Sequence, residues 1–117
     1  MHPSETSPVT AHVLNTVTGK PAQGISVEII SAKEGVLGRD TTNENGRCNY
    51  LLKDYLEKRP QAGAYTIRFH TPQYWTSNGF QPFHTEIDVN FYLADSTEHY
   101  HIPLLISPAS YTTYRGS

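Results

Sequence analysis

Disulfide chemistry is the first thing this 117-residue sequence cannot support: Cys48 is its only cysteine, so no intrachain bridge can form and a reducing compartment is expected. Positive charge is not in excess either. Nine Lys and Arg stand against eleven Asp and Glu, a net charge of −2, with no basic block to follow a phosphate backbone, so nucleic acid is not an expected partner. Long apolar runs are missing too: stretches such as Leu104-Leu105-Ile106 fall far short of the roughly 20 residues of a membrane span. Met1 to Thr10 is polar rather than signal-like, so neither a membrane partner nor secretion by a leader peptide is expected. There is no internal repeat, no low-complexity segment and no room for a second core. The hydrophobic fraction, 37%, is low, and a domain of this size buries only about two-thirds of its extended-chain surface, so subunit association is expected to add burial.

What is present is period two. β-Branched and aromatic residues come in short runs separated by Gly, Pro, Asn and Asp, which predicts an all-β sandwich. Eight strands are expected: near Thr10 to Val17, Ile25 to Ser31, Val36 to Thr42, Arg47 to Tyr50, Ala64 to Thr71, His84 to Tyr92, His99 to Ser107 and Tyr111 to Arg115. The first two are expected to form an antiparallel pair. Asn45-Gly46 suits a tight turn with positive φ. Lys53 to Arg59 has the composition for one helical turn but is read as loop, because Pro60 and Gly63 limit it. Gln73 to Pro82 has room for one short helix. Residues 1–9 are expected as a flexible leading segment and residues 10–117 as the domain.

Parity separates a core face from an outer one. Tyr100, Ile102, Leu104 and Ile106 share one side of their strand, and His99, His101, Pro103 and Leu105 the other. In the first strand Ala11, Val13 and Val17 form the apolar parity, blurred by Asn15, while His12 falls with Leu14 on the opposite side. An outer face carrying His12, His99 and His101 beside Leu14, Pro103 and Leu105 is half apolar, the character of an interface or a site rather than of bare solvent surface. His70 and His84 suggest no partner and are read as strand solvation. Cys48 is read as a half-buried packing residue rather than as a thiol activated by Arg47.

Several stretches carry a family likeness. His12-Val13-Leu14-Asn15 leads to Thr18-Gly19-Lys20-Pro21-Ala22, Asn45-Gly46-Arg47-Cys48 forms a Gly-Arg element, and His99-Tyr100-His101-Ile102-Pro103-Leu104-Leu105-Ile106-Ser107-Pro108 follows late in the chain. Tyr114-Arg115-Gly116-Ser117 comes at the end, after Ser110-Tyr111-Thr112-Thr113. In these elements the sequence resembles the transthyretin-like (prealbumin-like) family, and the final tetrapeptide resembles the branch formed by the 5-hydroxyisourate hydrolases. The likeness covers nearly all of Thr10 to Ser117. It implies an eight-stranded two-sheet sandwich with one short helix, assembled as a homotetramer, a dimer of dimers joined edge to edge, with active sites in a central channel. Transthyretin proper has a lysine where this chain has His12 and a glutamate where it has Arg47, so its hormone site is not reproduced.

The resemblance implies a small-molecule substrate, 5-hydroxyisourate, whose six-membered ring is opened by water added at a carbonyl beside a ring nitrogen, giving 2-oxo-4-hydroxy-4-carboxy-5-ureidoimidazoline in urate degradation. Acyl chemistry of this kind needs a base for the water, a cation for the oxyanion and a polar rim for the heterocycle. His12 and His101 are then assigned to water activation, with the choice between them open, and Arg47 to substrate and oxyanion. Tyr114, Ser117 and His99 are assigned to substrate binding. Gly116 is expected to allow a backbone conformation closed to other residues, and Arg115 either holds the tail or touches substrate. No cofactor and no metal are expected, although His12, His99 and His101 are three imidazoles such as a zinc site uses. A non-catalytic carrier of the same fold is the alternative. The expected compartment is the cytoplasm, with the peroxisome as the alternative.

Overall fold

The period-two pattern of apolar residues becomes period-two burial along the long strands. The structure, a computed structural model, describes residues 7–52 and 60–116. It contains β1 (Val9–Asn15), β2 (Lys20–Pro21), β3 (Ser26–Ser31), β4 (Gly35–Thr41), β5 (Arg47–Cys48), β6 (Gly63–His70), α1 (Pro72–Ser77), β7 (Ile87–Leu93), β8 (Tyr100–Ser107) and β9 (Ser110–Thr113). One sheet runs β2-β1-β8-β9 with β5 also on β1, and the other runs β4-β3-β6-β7. Their inner faces close on a core built from Val9, Ala11 and Val13 of β1, Ile102, Leu104 and Ile106 of β8, Val27 and Ile29 of β3, and Ile67 and Phe69 of β6. Each large side chain buried there contributes about 1.5–3 kcal/mol of hydrophobic stabilisation.

The all-β two-sheet sandwich is the fold the chain adopts, with one helix and nine strands among the described residues instead of the eight strands expected. The addition is Lys20–Pro21, which folds back on Asn15 and Leu14 for two residues. The expected pairing of the first two long strands does not form: β1 and β3 belong to opposite sheets. After β2 the chain is held to β1 by Ala22 N–H donating to the Val13 carbonyl at 3.0 Å, and it then crosses to the other layer. The neighbour β1 gains along its whole length is β8, in parallel. β5 is two residues long rather than four, since only Arg47 and Cys48 pair with β1, opposite His12 and Ala11.

β7 begins at Ile87, opposite Phe69, not at His84. The residues ahead of it turn toward the β8–β9 hairpin instead, where Phe83 N–H donates to the Pro108 carbonyl at 3.0 Å. The helix opens with Pro72 at its first turn and buries Trp75, whose ring meets Tyr74 and Phe80 edge to face at 5.3 and 5.6 Å. Val17, placed above on the core parity, is 51% exposed because the strand stops at Asn15. Asn15 takes the inner position instead: its amide donates to the Tyr74 hydroxyl at 2.9 Å and its Oδ1 accepts from Val17 N–H at 2.9 Å, so a polar residue sits in the core with its hydrogen bonds made.

Cys48 is fully buried rather than half-buried, and burial, with a smaller push from the negative charge of Asp40, raises its thiol to about 12. Of the leading segment, Ser7 to Val9 are buried: Ser7 Oγ accepts from Val9 N–H at 3.2 Å and from Leu52 N–H at 3.0 Å. Its remaining residues, 1–6, and the Lys53 to Arg59 stretch lie outside the described residues.

Candidate active site

Register, more than sequence spacing, gathers the candidate residues. In the parallel β1–β8 ladder Thr10 stands opposite His101 and His12 opposite Pro103, while on the other side of β1 His12 stands opposite Arg47. Side chains directly opposite in a sheet point the same way, so Thr10, His12, Leu14, Arg47, His101, Pro103 and Leu105 share the outer face of the first sheet.

The turn before β5 fixes where Arg47 starts. Asn43 Oδ1 accepts from Asn45 N–H at 2.9 Å and from Arg47 N–H at 3.0 Å, and Asn43 N–H donates to the Arg47 carbonyl at 3.0 Å. Gly46 has φ +73°, and a Cβ there would run into the Val13 carbonyl oxygen. Its own carbonyl accepts from Val13 N–H at 2.7 Å, which fastens the turn to the strand that carries His12.

The rings of His12 and His101 have centroids 6.3 Å apart and planes inclined at 32°. Both are half-buried. Burial is the main reason that both pKa values fall below the ordinary histidine value, and the positive charge of Arg47 is the second. For His12 a hydrogen bond with the Asn45 backbone pulls the other way, and for His101 the neighbouring His12 and His99 add to the depression. Two imidazoles kept neutral beside a fixed cation can accept a proton at the pH where a free histidine would begin to carry one.

The last described residues close on the same place. Gly116 bridges His101, with Gly116 N–H donating to the His101 carbonyl at 2.9 Å. A Cβ on Gly116 would lie 2.7 Å from Cδ2 of His101 and 3.2 Å from Cγ of Pro103. Close approach therefore demands glycine here, and the special backbone conformation expected above is not the reason, since Gly116 is not among the glycines with positive φ. Arg115 holds the tail: it donates to Glu98 Oε1 at 3.0 Å and lies 4.4 Å over the Tyr100 ring.

Thr10 was not singled out by its sequence context. It is 4% exposed, and its hydroxyl lies 2.7 Å from Nδ1 of His101 and 3.0 Å from Nε2 of His99. The available signal was its parity, two residues ahead of His12 on the same face; its partners come from a strand that only the register brings alongside. Tyr114 is 58% exposed and lines a cleft of about 240 Å³ with Val89, Phe91, Tyr100 and Arg115, at the edge where β7 and β9 end their sheets. His12, Arg47 and His101 do not line that cleft; they occupy an open sheet face. Ser117 lies outside the described residues.

His70 and His84 do have partners. His70 Nε2 is 2.8 Å from Glu28 Oε1, and the His84 ring meets Phe83 and Tyr111 edge to face at 5.0 and 5.1 Å. Among the described residues no group of three or more His, Cys, Asp or Glu side chains is arranged to hold a metal ion.

Comparison with known proteins matches the model of the HIUase/transthyretin family to residues 9–116. A 5-hydroxyisourate hydrolase of Halalkalibacterium halodurans is 44% identical over 117 residues, covering 93% of this chain and 97% of that protein. Among solved structures, the 5-hydroxyisourate hydrolase of Klebsiella pneumoniae superposes with a TM-score of 0.80 at 29% identity, over 93% of this chain and 97% of the other. Sea bream transthyretin in complex with thyroxine superposes with a TM-score of 0.81 at 32% identity, over 93% of this chain and 94% of the other.

Proposed function

The chain belongs to the HIUase/transthyretin family, and from that premise we propose that it hydrolyses 5-hydroxyisourate to 2-oxo-4-hydroxy-4-carboxy-5-ureidoimidazoline, with His12, His101 and Arg47 as the reacting groups. The observation that carries the assignment of residues is the meeting of two neutral-favouring imidazoles and one guanidinium on a single sheet face. One imidazole takes a proton from water as its oxygen bonds to the ring carbonyl carbon. Negative charge then develops on the carbonyl oxygen, where the planar, permanently charged fork of Arg47 stabilises it. The C–N bond breaks as the ring nitrogen receives a proton, and the ring opens.

His99 orients the heterocycle in this reading and Ser117 completes its rim from the tail, whereas Tyr114 lines a cleft apart from the three reacting groups. The working form is a homotetramer. Leu14 and Leu105 flank the imidazoles on the outer face, and covering that face with a second subunit would exclude water and strengthen each electrostatic contact there.

The test is turnover of freshly generated 5-hydroxyisourate against its spontaneous decay. Wild type is expected to accelerate the decay, and His12→Ala or Arg47→Ala to lose about a hundredfold or more of kcat/KM. Binding without acceleration would favour the second reading, a carrier, which the equally close superposition on transthyretin keeps in view.

A further inference from the structure

Thr10 presents one hydroxyl to two imidazoles, and that arithmetic constrains both. A hydroxyl has one proton to donate and two lone pairs with which to accept. With its oxygen 2.7 Å from Nδ1 of His101 and 3.0 Å from Nε2 of His99, it can donate to only one of them, and the other nitrogen must then bring its own proton. The protonation patterns of the two rings are therefore linked through Thr10, although Thr10 itself touches no reacting atom.

Resting on the hydrolase reading above, we propose that Thr10 is a positioning residue: its hydroxyl donates to Nε2 of His99 and accepts from Nδ1–H of His101, leaving Nε2 of His101 bare as the base that activates water. The same chain of bonds supplies a proton route. When Nε2 of His101 takes a proton from the attacking water, the Nδ1 proton passes to the Thr10 oxygen and the Thr10 proton passes to Nε2 of His99. His101 stays neutral, its proton now on Nε2, and His99 holds the positive charge. As the C–N bond breaks, the Nε2 proton goes to the leaving nitrogen, and the reverse passage from His99 through Thr10 restores Nδ1–H. No proton or electron is gained or lost over the cycle apart from the water consumed.

The surroundings favour this direction. Among the described residues, the charged or titratable groups facing His101 are Arg47 from β5, His12 from β1 and His99 just ahead of β8, and each opposes an imidazolium at His101, as burial does. His99 is exposed, and its neighbour Glu98 is paired with Arg115 of the tail. Charge moved through Thr10 thus leaves the half-buried position for the less buried one of the same chain. Thr10 is buried on the outward parity of β1, so the hydroxyl is sheltered from water that would otherwise compete for its bonds.

The experiment pairs nitrogen-15 correlation spectra of the histidines in the full-length protein with kinetics on freshly generated 5-hydroxyisourate. In wild type, at a pH where His101 is neutral, its Nδ1 is expected protonated and its Nε2 bare. Thr10→Val is expected to lose that preference and to lower kcat about 10- to 100-fold with KM within about twofold, while Thr10→Ser restores both the spectrum and most of kcat. His99→Asn, which accepts a hydrogen bond but no proton, is expected to keep the tautomer and still lower kcat. A wild-type His101 protonated on Nε2 overturns the proposal whatever the variants do, as does a folded Thr10→Val with wild-type kcat. Wild type that leaves 5-hydroxyisourate to its spontaneous decay overturns the hydrolase reading instead, and leaves the spectral result standing.

Discussion

The two sheets of the sandwich treat charge on their outer faces in opposite ways. On the second sheet opposite charges answer each other across strands: Arg39 reaches Glu28 at 2.9 Å, a carboxylate that also lies 2.8 Å from His70 Nε2, and Arg68 reaches Asp88 at 2.8 Å. On the first sheet His12, Arg47 and His101 take part in no ion pair among the described residues, and a cation sits beside imidazoles instead of beside a carboxylate. A surface that neutralises its charges has little left to offer a substrate. One that leaves a guanidinium unanswered and two rings uncharged has reactivity in reserve, and the difference lies in which residue types share a row, since both sheets are built on the same pleat.

The comparison breaks hardest if an acid is placed on the first sheet. Arg47→Glu would remove the partner proposed for the oxyanion and reverse the charge that, after burial, lowers the pKa of both imidazoles, so kcat/KM is expected to fall on the order of a thousandfold. What activity remains should have its acidic limb moved to higher pH. A pH–rate profile of the variant beside wild type checks both, and an unmoved limb would detach Arg47 from the histidines.

Gly116→Ala is the next largest. The new methyl would press on Cδ2 of His101, a ring already tied by Thr10 at 2.7 Å and unable to swing aside freely. A loss of about tenfold in kcat is expected with the thermal midpoint nearly unchanged, and steady-state kinetics with a melting curve separates the two.

In wild type the same electrostatics sets a pH limit. Because His12 and His101 are held below the usual 6.5, the base form persists as pH falls past that value, and kcat/KM should drop only further into the acid range. A limb at or above 6.5 would put the base in a more exposed or acid-paired setting than these rings occupy.

The smallest effect is expected on the other sheet. Glu28→Gln should leave kcat/KM within about twofold of wild type. It should cost under about 1 kcal/mol of stability, because Arg39 is largely exposed and solvent screens the pair. The carboxyl of Glu28 is held below its ordinary value by the His70 hydrogen bond first and by Arg39 next. Its contribution is therefore present above the ordinary carboxylate pKa and fades as pH falls through the lowered one, so denaturant melts of the two proteins should converge in acid.

Much of this was legible in residue order, and the illegible part has a common cause. Parity alone put His12, His99 and His101 on the outer side of their strands, because alternation is local and one buried face fixes it. The family likeness then supplied Arg47 and the tail. What local pattern could not supply was which strand lies beside which. The pairing expected between the first two long strands followed from their nearness in sequence, whereas β1 takes β8 from the far end of the chain. Thr10 escaped notice for that reason: its partners His99 and His101 are 89 and 91 residues away. Asn15 misled in another way, since a polar residue at a core position looks like an error in the pattern until the groups that satisfy it, Val17 N–H and the Tyr74 hydroxyl, are in view.

On the proposed assignment, the parallel seam between β1 and β8 makes competence wait until β8 has been made. A nascent chain that has emerged only as far as β7 already contains His12 and Arg47, yet has neither the second imidazole nor the tail that packs against it. Products of translation interrupted before β8 would be silent rather than partly active, and the appearance of turnover during synthesis would time the moment at which β1 and β8 first meet.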